Sequence, residues 1–201
     1  DTTEAGNYYC IATNSCASAT SNSITLTVNE APSIVTNPAS ATVCQNLSAV
    51  FTVSTEGTSP MTYQWYNGSG AISGATASSY IIPQVSTSHA GSYYVKATNS
   101  CGVATSTSAS LTVNNSVSIT AQSSSQTVCS GSSPSFSITA AGTAPITYQW
   151  YKGNTAISGA TNNAFSLTSV DTSNASTYYV IATNSCNSIQ SNQIILTVNE
   201  S

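Results

Sequence analysis

Charge is what this 201-residue chain has least of: two basic residues, Lys96 and Lys152, and six carboxylates, 4% of the sequence together. An average soluble protein carries roughly 25% charged residues. Two isolated lysines cannot neutralise a phosphate backbone or hold an anionic membrane surface, so nucleic acid and anionic lipid are excluded as partners. The carboxylates Asp1, Glu4, Glu30, Glu56, Asp171 and Glu200 stand singly, too far apart in sequence for a paired-carboxylate site or a calcium cage. His89 is the only histidine, and the position 85 residues on holds Asn174, so it reads as an exposed loop residue. A serine nucleophile without an oriented histidine and acid is inert; no enzyme, cofactor or metal site is expected. No apolar run approaches the ~20 residues that cross a bilayer as a helix, and no basic start followed by an apolar stretch marks a signal peptide. Membrane insertion of this segment is not expected.

What fills the chain instead is repetition. The run "DTTEAGNYYCIATNSC" is echoed by "STSHAGSYYVKATNSC" and "DTSNASTYYVIATNSC", so that Cys16, Cys101 and Cys186 stand 85 residues apart. Trp65 and Trp150, Cys44 and Cys129, the two "TYQWY" runs and the two "AISGAT" runs keep the same period. Taking the shared ending "LTVN" as the boundary, residues 30–114 and 115–199 are full repeats and residues 1–29 are the last third of a preceding one. Units of this length sit near the lower limit for a self-supporting core, where a covalent staple helps. The six cysteines show none of the short spacings that structural zinc sites use, so they read as disulfide partners, which implies an oxidising, extracellular setting.

Stretches such as "SAVFTVSTEG", "MTYQWYNG" and "YYVKATNS" place every second residue on one face and are bounded by Ser, Gly, Asn and Pro; no window keeps a helical period. Short strands at regular turn spacing predict an all-β chain of tandem antiparallel sandwiches. In the first full repeat the inward set is Phe51, Val53, Met61, Tyr63, Trp65, Tyr80, Ile82, Val85, Tyr93, Val95, Ala97, Leu111 and Val113. Tyr66 and Tyr94, with Tyr151 and Tyr179, alternate outward; they read mainly as cross-strand pairs worth ~0.2–1 kcal/mol, and otherwise as a contact surface for sugar rings or a neighbouring fibre. The Asn-x-Ser sequons at Asn46, Asn67, Asn114, Asn174 and Asn199 arise readily by chance in so Asn- and Ser-rich a chain.

The order "GTSPMTYQWYNG", "AGSYYVKATNSCG" and "ASLTV", repeated as "GTAPITYQWYKG" and "ASTYYVIATNSCN", resembles strands B to C, E to F and G of I-set immunoglobulin domains over essentially the whole chain. The Thr- and Ser-rich texture is similar to Ig-like repeats of large secreted bacterial surface proteins, especially of gliding and polymer-degrading Bacteroidetes. The resemblance implies that Trp65 and Trp150 are the buried strand C tryptophans, and Tyr93 and Tyr178 the tyrosines that open strand F. Residues 1–29 would then supply strands F and G alone, without partner strands. Where the family places a disulfide between strands B and F, this chain has Val53 with Val95 and Ile138 with Val180; only Cys10 keeps a cysteine there, expected to be free or paired outside the chain.

The same frame puts Cys44 and Cys129 before the A to B turn, and Cys101 and Cys186 at the F to G tip. Those are opposite ends of one sandwich, roughly 25–30 Å apart at ~3.3 Å per residue, whereas bridged Cα atoms stand within about 7 Å. An interdomain link between Cys44 and Cys186 is favoured; the pairs Cys44 with Cys101 and Cys129 with Cys186, or free thiols, remain open. The resemblance implies a structural stalk or filament segment whose partners are neighbouring repeats or copies of the chain, with a polysaccharide-binding module as the alternative.

Overall fold

The alternation of apolar and polar residues sets the architecture of the computed structural model, which describes residues 2–200 and whose regular structure is short β-strands with three single-turn helices among the described residues. Asp1, among the scattered carboxylates, lies outside the described residues. The described residues form two compact units, one of 2–41, Ala49–Ile82 and Ala90–Leu111, the other of Thr42–Ser48, Pro83–His89 and 112–200.

In the first unit the long strand Gly91–Asn99 runs antiparallel to Thr62–Asn67, with Val95 opposite Trp65 and Tyr94 opposite Tyr66. Its other edge pairs first with Ala109–Asn114 and then with Gly102–Thr105. Ser79–Ile82 pairs with Ala49–Thr52, and Ser33–Thr36 with Ser54–Glu56, forming the opposing layer. The inward faces meet in an aromatic core. Phe51 stacks on Tyr93 at 4.9 Å, and Trp65 tilts against Phe51 and Tyr80 at 6.2 Å each. Trp65 is fully buried, and its indole N–H is satisfied by the Ala77 carbonyl at 2.9 Å. Of the expected inward set, Met61, Tyr63, Tyr80 and Val113 are only half-buried, while Ala49, Ala75 and Ala109 also belong to the core. Gly57 sits at φ +130°, where a Cβ would approach the Ala31 carbonyl oxygen at 2.8 Å, so the turn after Ser54–Glu56 requires glycine.

Residues 2–29 contain two small hairpins: Gly6–Tyr8 pairs with Ile24–Leu26, and Ile11–Thr13 with Ser18–Thr20. Nearly every described residue of this stretch is exposed.

The second unit repeats the plan at an offset of 85 residues. Ser176–Thr183 lies between Thr147–Lys152 and Ile194–Asn199, with Ser188–Gln190 also paired to it. Gln126–Cys129 adds parallel to Ile194–Asn199. Ser118–Gln122, Ser135–Ala141 and Ala164–Ser166 form the opposing three-stranded sheet. Phe136 packs against Trp150 and Tyr178, and all three are essentially inaccessible to solvent. The Trp150 indole donates to the Asn162 carbonyl at 2.9 Å. No helix among the described residues is long and apolar enough to cross a membrane.

Candidate functional site

Two features recur with the repeat and reach the surface: a pair of cysteine-bearing turns, and a tyrosine pair on one sheet. The first turn follows Ala41–Cys44. Gln45 N–H donates to the Asn114 carbonyl, Asn46 N–H to the Val85 carbonyl and Val85 N–H to the Leu47 carbonyl, each at 2.8 Å. Asn46 lies in the left-handed region at φ 69°, which asparagine tolerates better than most residues; the equivalent Gly131 adopts φ 86°.

The second turn is the hairpin tip "NSC". The Asn184 side-chain oxygen accepts the Cys186 and Asn187 N–H groups at 3.0 and 3.2 Å, and its amide donates to the Asn115 and Thr143 carbonyls at 2.8 and 3.0 Å. Asn99 does the same for Cys101, with its amide on Glu30 and Thr58. Asn14 caps the tip carrying Cys16 through the Cys16 and Ala17 N–H groups. Asparagine is needed because one side chain must accept from the tip and donate to the neighbouring loop at once. Sequence reasoning passed over these asparagines, although their recurrence two residues before each of Cys16, Cys101 and Cys186 is the signal for them.

Within the second unit, which includes Thr42–Ser48, the two kinds of turn meet. Cys44 and Cys186 form a disulfide with their Cα atoms 5.6 Å apart. The Cys186 sulfur lies 3.7 Å from the Asn114 carbonyl oxygen and the Cys44 sulfur 4.0 Å from that of Ser185; with no S–H left, these are packing contacts. Neither Cys44 with Cys101 nor Cys129 with Cys186 is joined. Cys10, Cys16, Cys101 and Cys129 are exposed thiols.

The tyrosines form two near-identical stacks. Tyr66 and Tyr94 face each other across paired strands with ring centres 4.9 Å apart and planes 6° from parallel, and Tyr151 with Tyr179 has the same values. Lys96 Nζ stands 5.1 Å from the Tyr66 ring centre, a cation–π contact that the second repeat lacks because Ile181 replaces it. All four rings are half-buried, since each covers one face of its partner.

The inward tyrosines are anchored. Tyr178 donates its hydroxyl to the Asn174 carbonyl at 2.8 Å, and Tyr8 does the same to Glu4 at 2.6 Å. Burial pushes the phenols of Tyr93 and Tyr178 above their ordinary value, with the neighbouring Tyr80 adding to the effect at Tyr93. Asp171 caps the short helical turn before Ser176–Thr183, and hydrogen bonds from the Ser173 hydroxyl and N–H, then from Asn174 N–H, hold its carboxyl below the usual range. His89 departs from expectation: it is half-buried rather than an exposed loop residue, and its Nδ1 accepts the Ser86 N–H at 2.9 Å to close the equivalent turn. A third recurring residue also escaped the sequence reading. Ser106 and Ser191 are buried, and each hydroxyl accepts an N–H of the central strand, from Val95 at 3.0 Å and Val180 at 3.1 Å. Each also donates to the next carbonyl at 2.9 Å, which fills the gap where the last strand breaks in two.

These paired sheets, the buried tryptophan and the tyrosine hook agree with what sequence comparison finds. The profile of the "Ig-like domain CHU_C associated" family matches residues 30–114 and 117–199. The chain belongs to the CHU_C-associated Ig-like family. Among solved structures, an I-band fragment of titin superposes with a TM-score of 0.73 at 21% identity, over 85% of this chain and 66% of the titin fragment. Immunoglobulin domains 1–4 of Sidekick-1 give 0.69 at 19% identity, over 99% of this chain and 59% of theirs. Extracellular domains 3–5 of Drosophila OTK give 0.62 at 19% identity, over 98% and 72%. At such identities these likenesses establish the tandem Ig fold alone.

Proposed function

We propose that this chain is a structural segment of an extracellular bacterial surface protein, one stretch of a disulfide-stabilised stalk or filament that supports adhesion. The observation that carries this reading is the Cys44–Cys186 bond, which joins the two full sequence repeats across a separation of 142 residues. Trp65, Tyr93, Trp150 and Tyr178 all lie inside the loop that it closes. Tension applied at the chain's ends therefore passes from Cys44 to Cys186 through the sulfur atoms, and the interval that holds these four aromatic residues cannot be drawn out, while Ile194–Asn199, which helps to close the core around Trp150, lies outside the loop. That matters for repeats of this size, whose small cores resist force weakly. A disulfide of this kind persists where the surroundings are oxidising, which supports an extracellular location.

The duplicated hydrogen bonds at both kinds of turn favour a spacer over a recognition module, since recognition loops need to differ from a scaffold's. Non-reducing peptide mapping of protein released from the cell surface tests the reading: a Cys44 peptide joined to a Cys186 peptide supports it, and Cys44 joined to Cys101 contradicts it. The stacked tyrosines favour a second reading, a polysaccharide-binding face on which sugar rings lie against Tyr66 or Tyr151. A glycan array probed with the full chain separates the two, because saturable binding to one glycan class, lost in Tyr66→Ala and Tyr151→Ala, would replace the spacer reading.

A further inference from the structure

Asn67 and Gly68 begin the tight turn between Thr62–Asn67 and Gly70–Ala71, and theirs is the only asparagine–glycine step in the sequence. The equivalent turn of the second repeat has Lys152 and Gly153. The two turns also differ in their main-chain bonds. In the second repeat the strand ladder reaches Lys152, opposite Tyr178, and the half-buried Gly153 donates its N–H to the Thr177 carbonyl at 2.8 Å. In the first, pairing with Gly91–Asn99 ends at Tyr66, opposite Tyr94. Gly68 is exposed, no described residue accepts its N–H, and a Cβ placed on it would meet nothing within 4 Å.

Asn67 supplies the matching electrophile. Its Oδ1 accepts the Ser69 N–H at 2.9 Å, which draws electron density from Cγ and sets a donor where negative charge develops when that carbon is attacked. No described residue takes a hydrogen bond from its Nδ2. Asn99 and Asn184 show the contrasting arrangement. Their Oδ1 atoms are bonded in the same way to the Cys101 and Cys186 N–H groups. Each amide nitrogen, however, donates to two carbonyls, and the next residue is serine, whose side chain crowds the attacking nitrogen.

We propose that Asn67 is a modification site at which the chain converts itself to isoaspartate. Gly68 N loses its proton to solvent and attacks Asn67 Cγ. The N–Cγ bond forms, the Cγ–Nδ2 bond breaks, and Nδ2 takes up a proton and leaves as ammonia, closing a cyclic imide. Water then adds to one imide carbonyl, and that carbon's bond to Gly68 N breaks. Opening at Cγ gives aspartate; opening at the main-chain carbonyl gives isoaspartate. No oxidation state changes, and water is the sole co-reactant. Isoaspartate sends the backbone through Cβ and Cγ, adding one link to the hairpin that pairs Asn67 with Gly70 and Tyr66 with Ala71. Either product places a carboxylate next to Tyr66 in a chain that has only six. The proposal stands whether the repeats are spacers or binding modules.

The test is incubation of the full chain in mildly alkaline buffer, followed by peptide mapping with fragmentation that separates aspartate from isoaspartate. The expected result is conversion at Asn67 at least tenfold faster than at Asn99 or Asn184, and at least a tenfold slowing in Gly68→Ala, whose methyl the open turn accommodates. Lys152→Asn builds the same dipeptide in the second repeat, where the Gly153 N–H is bonded. It should convert at least tenfold more slowly than Asn67 in the folded chain, and within twofold of it in denaturant. An Asn67 that keeps its amide, conversion no faster than at Asn99, or Lys152→Asn reacting as fast as Asn67 in the folded chain would each overturn the proposal.

Discussion

Residues 6–28 and 176–198 are nearly the same sentence folded the same way, and yet one is exposed and the other forms a core. Both contain a hooked tyrosine, an inner-strand N–H taken by a serine hydroxyl and an Asn-capped cysteine tip. Tyr178, Ile194 and Leu196 are at most 1% accessible, whereas Tyr8, Ile24 and Leu26 are 44–71% accessible. The hairpin's shape is thus written in local polar contacts, while its stability is supplied by strands from elsewhere in the repeat. A lone hairpin is marginal in water for want of that second layer.

The strongest way to sharpen this contrast is to empty the core on one side of it. Trp150→Ala removes a fully buried indole and its bond to Asn162, and is expected to destabilise the second repeat by ~3–5 kcal/mol, read by denaturant unfolding. Ile24→Ala in the exposed hairpin should shift the same curve by no more than ~0.5 kcal/mol. A loss under about 1 kcal/mol for Trp150→Ala would mean that the aromatic cluster does not hold the sandwich together.

Next in size is the serine that mends the broken strand. Ser191→Ala leaves the buried Val180 N–H unpaired and is expected to lose about 1–3 kcal/mol. Ser21→Ala exposes the Cys10 N–H to water, which replaces the lost partner, so its effect on thermal unfolding should be within ~0.5 kcal/mol. Equal losses at the two sites would erase the distinction between local shape and buried stability.

Smaller still is the outward pair: Tyr151→Ala should lose ~0.2–1 kcal/mol as a cross-strand contact. The smallest effects are those of pH. Asp171 has a depressed folded pKa, so its contribution is present above the ordinary carboxylate range and is lost as pH falls through the folded value. An acid titration of stability should show a low-pH step that Asp171→Asn lacks. Tyr178 has a raised folded pKa, so its contribution is complete below the ordinary phenol value of 10.0 and disappears as pH rises through the folded one. Tyr178→Phe should flatten that alkaline limb, and a limb left unchanged would place the titrating group elsewhere.

Sandwich class was legible in the sequence because alternation and punctuation encode it directly. Phe51, Trp65 and Val95 fall on one face by period two alone, and Gly, Asn and Ser mark where each strand ends. Small residues escaped. Ala49, Ala75 and Ala109 are buried because large neighbours surround them, which no property of alanine announces. Nothing in the sequence sets Ser106 and Ser191 apart from the many other serines of the chain, and the turn that His89 closes depends on local geometry that a lone histidine does not announce. The spacing of the cysteines showed that they recur with the fold. Their pairing stayed open in the sequence because it depends on which turns come together in space, and the route of the strand before each turn decides that.

Whether the Cys44–Cys186 bond keeps the interval between its two cysteines from extending under load is measured directly by single-molecule stretching of the full chain from its ends. Without reductant, the 142-residue interval between Cys44 and Cys186 should contribute no extension at any force that leaves covalent bonds intact. Reductant should then release a further contour length of about 500 Å, at ~3.6 Å per residue. Unfolding steps from both repeats at full length in the absence of reductant would contradict it.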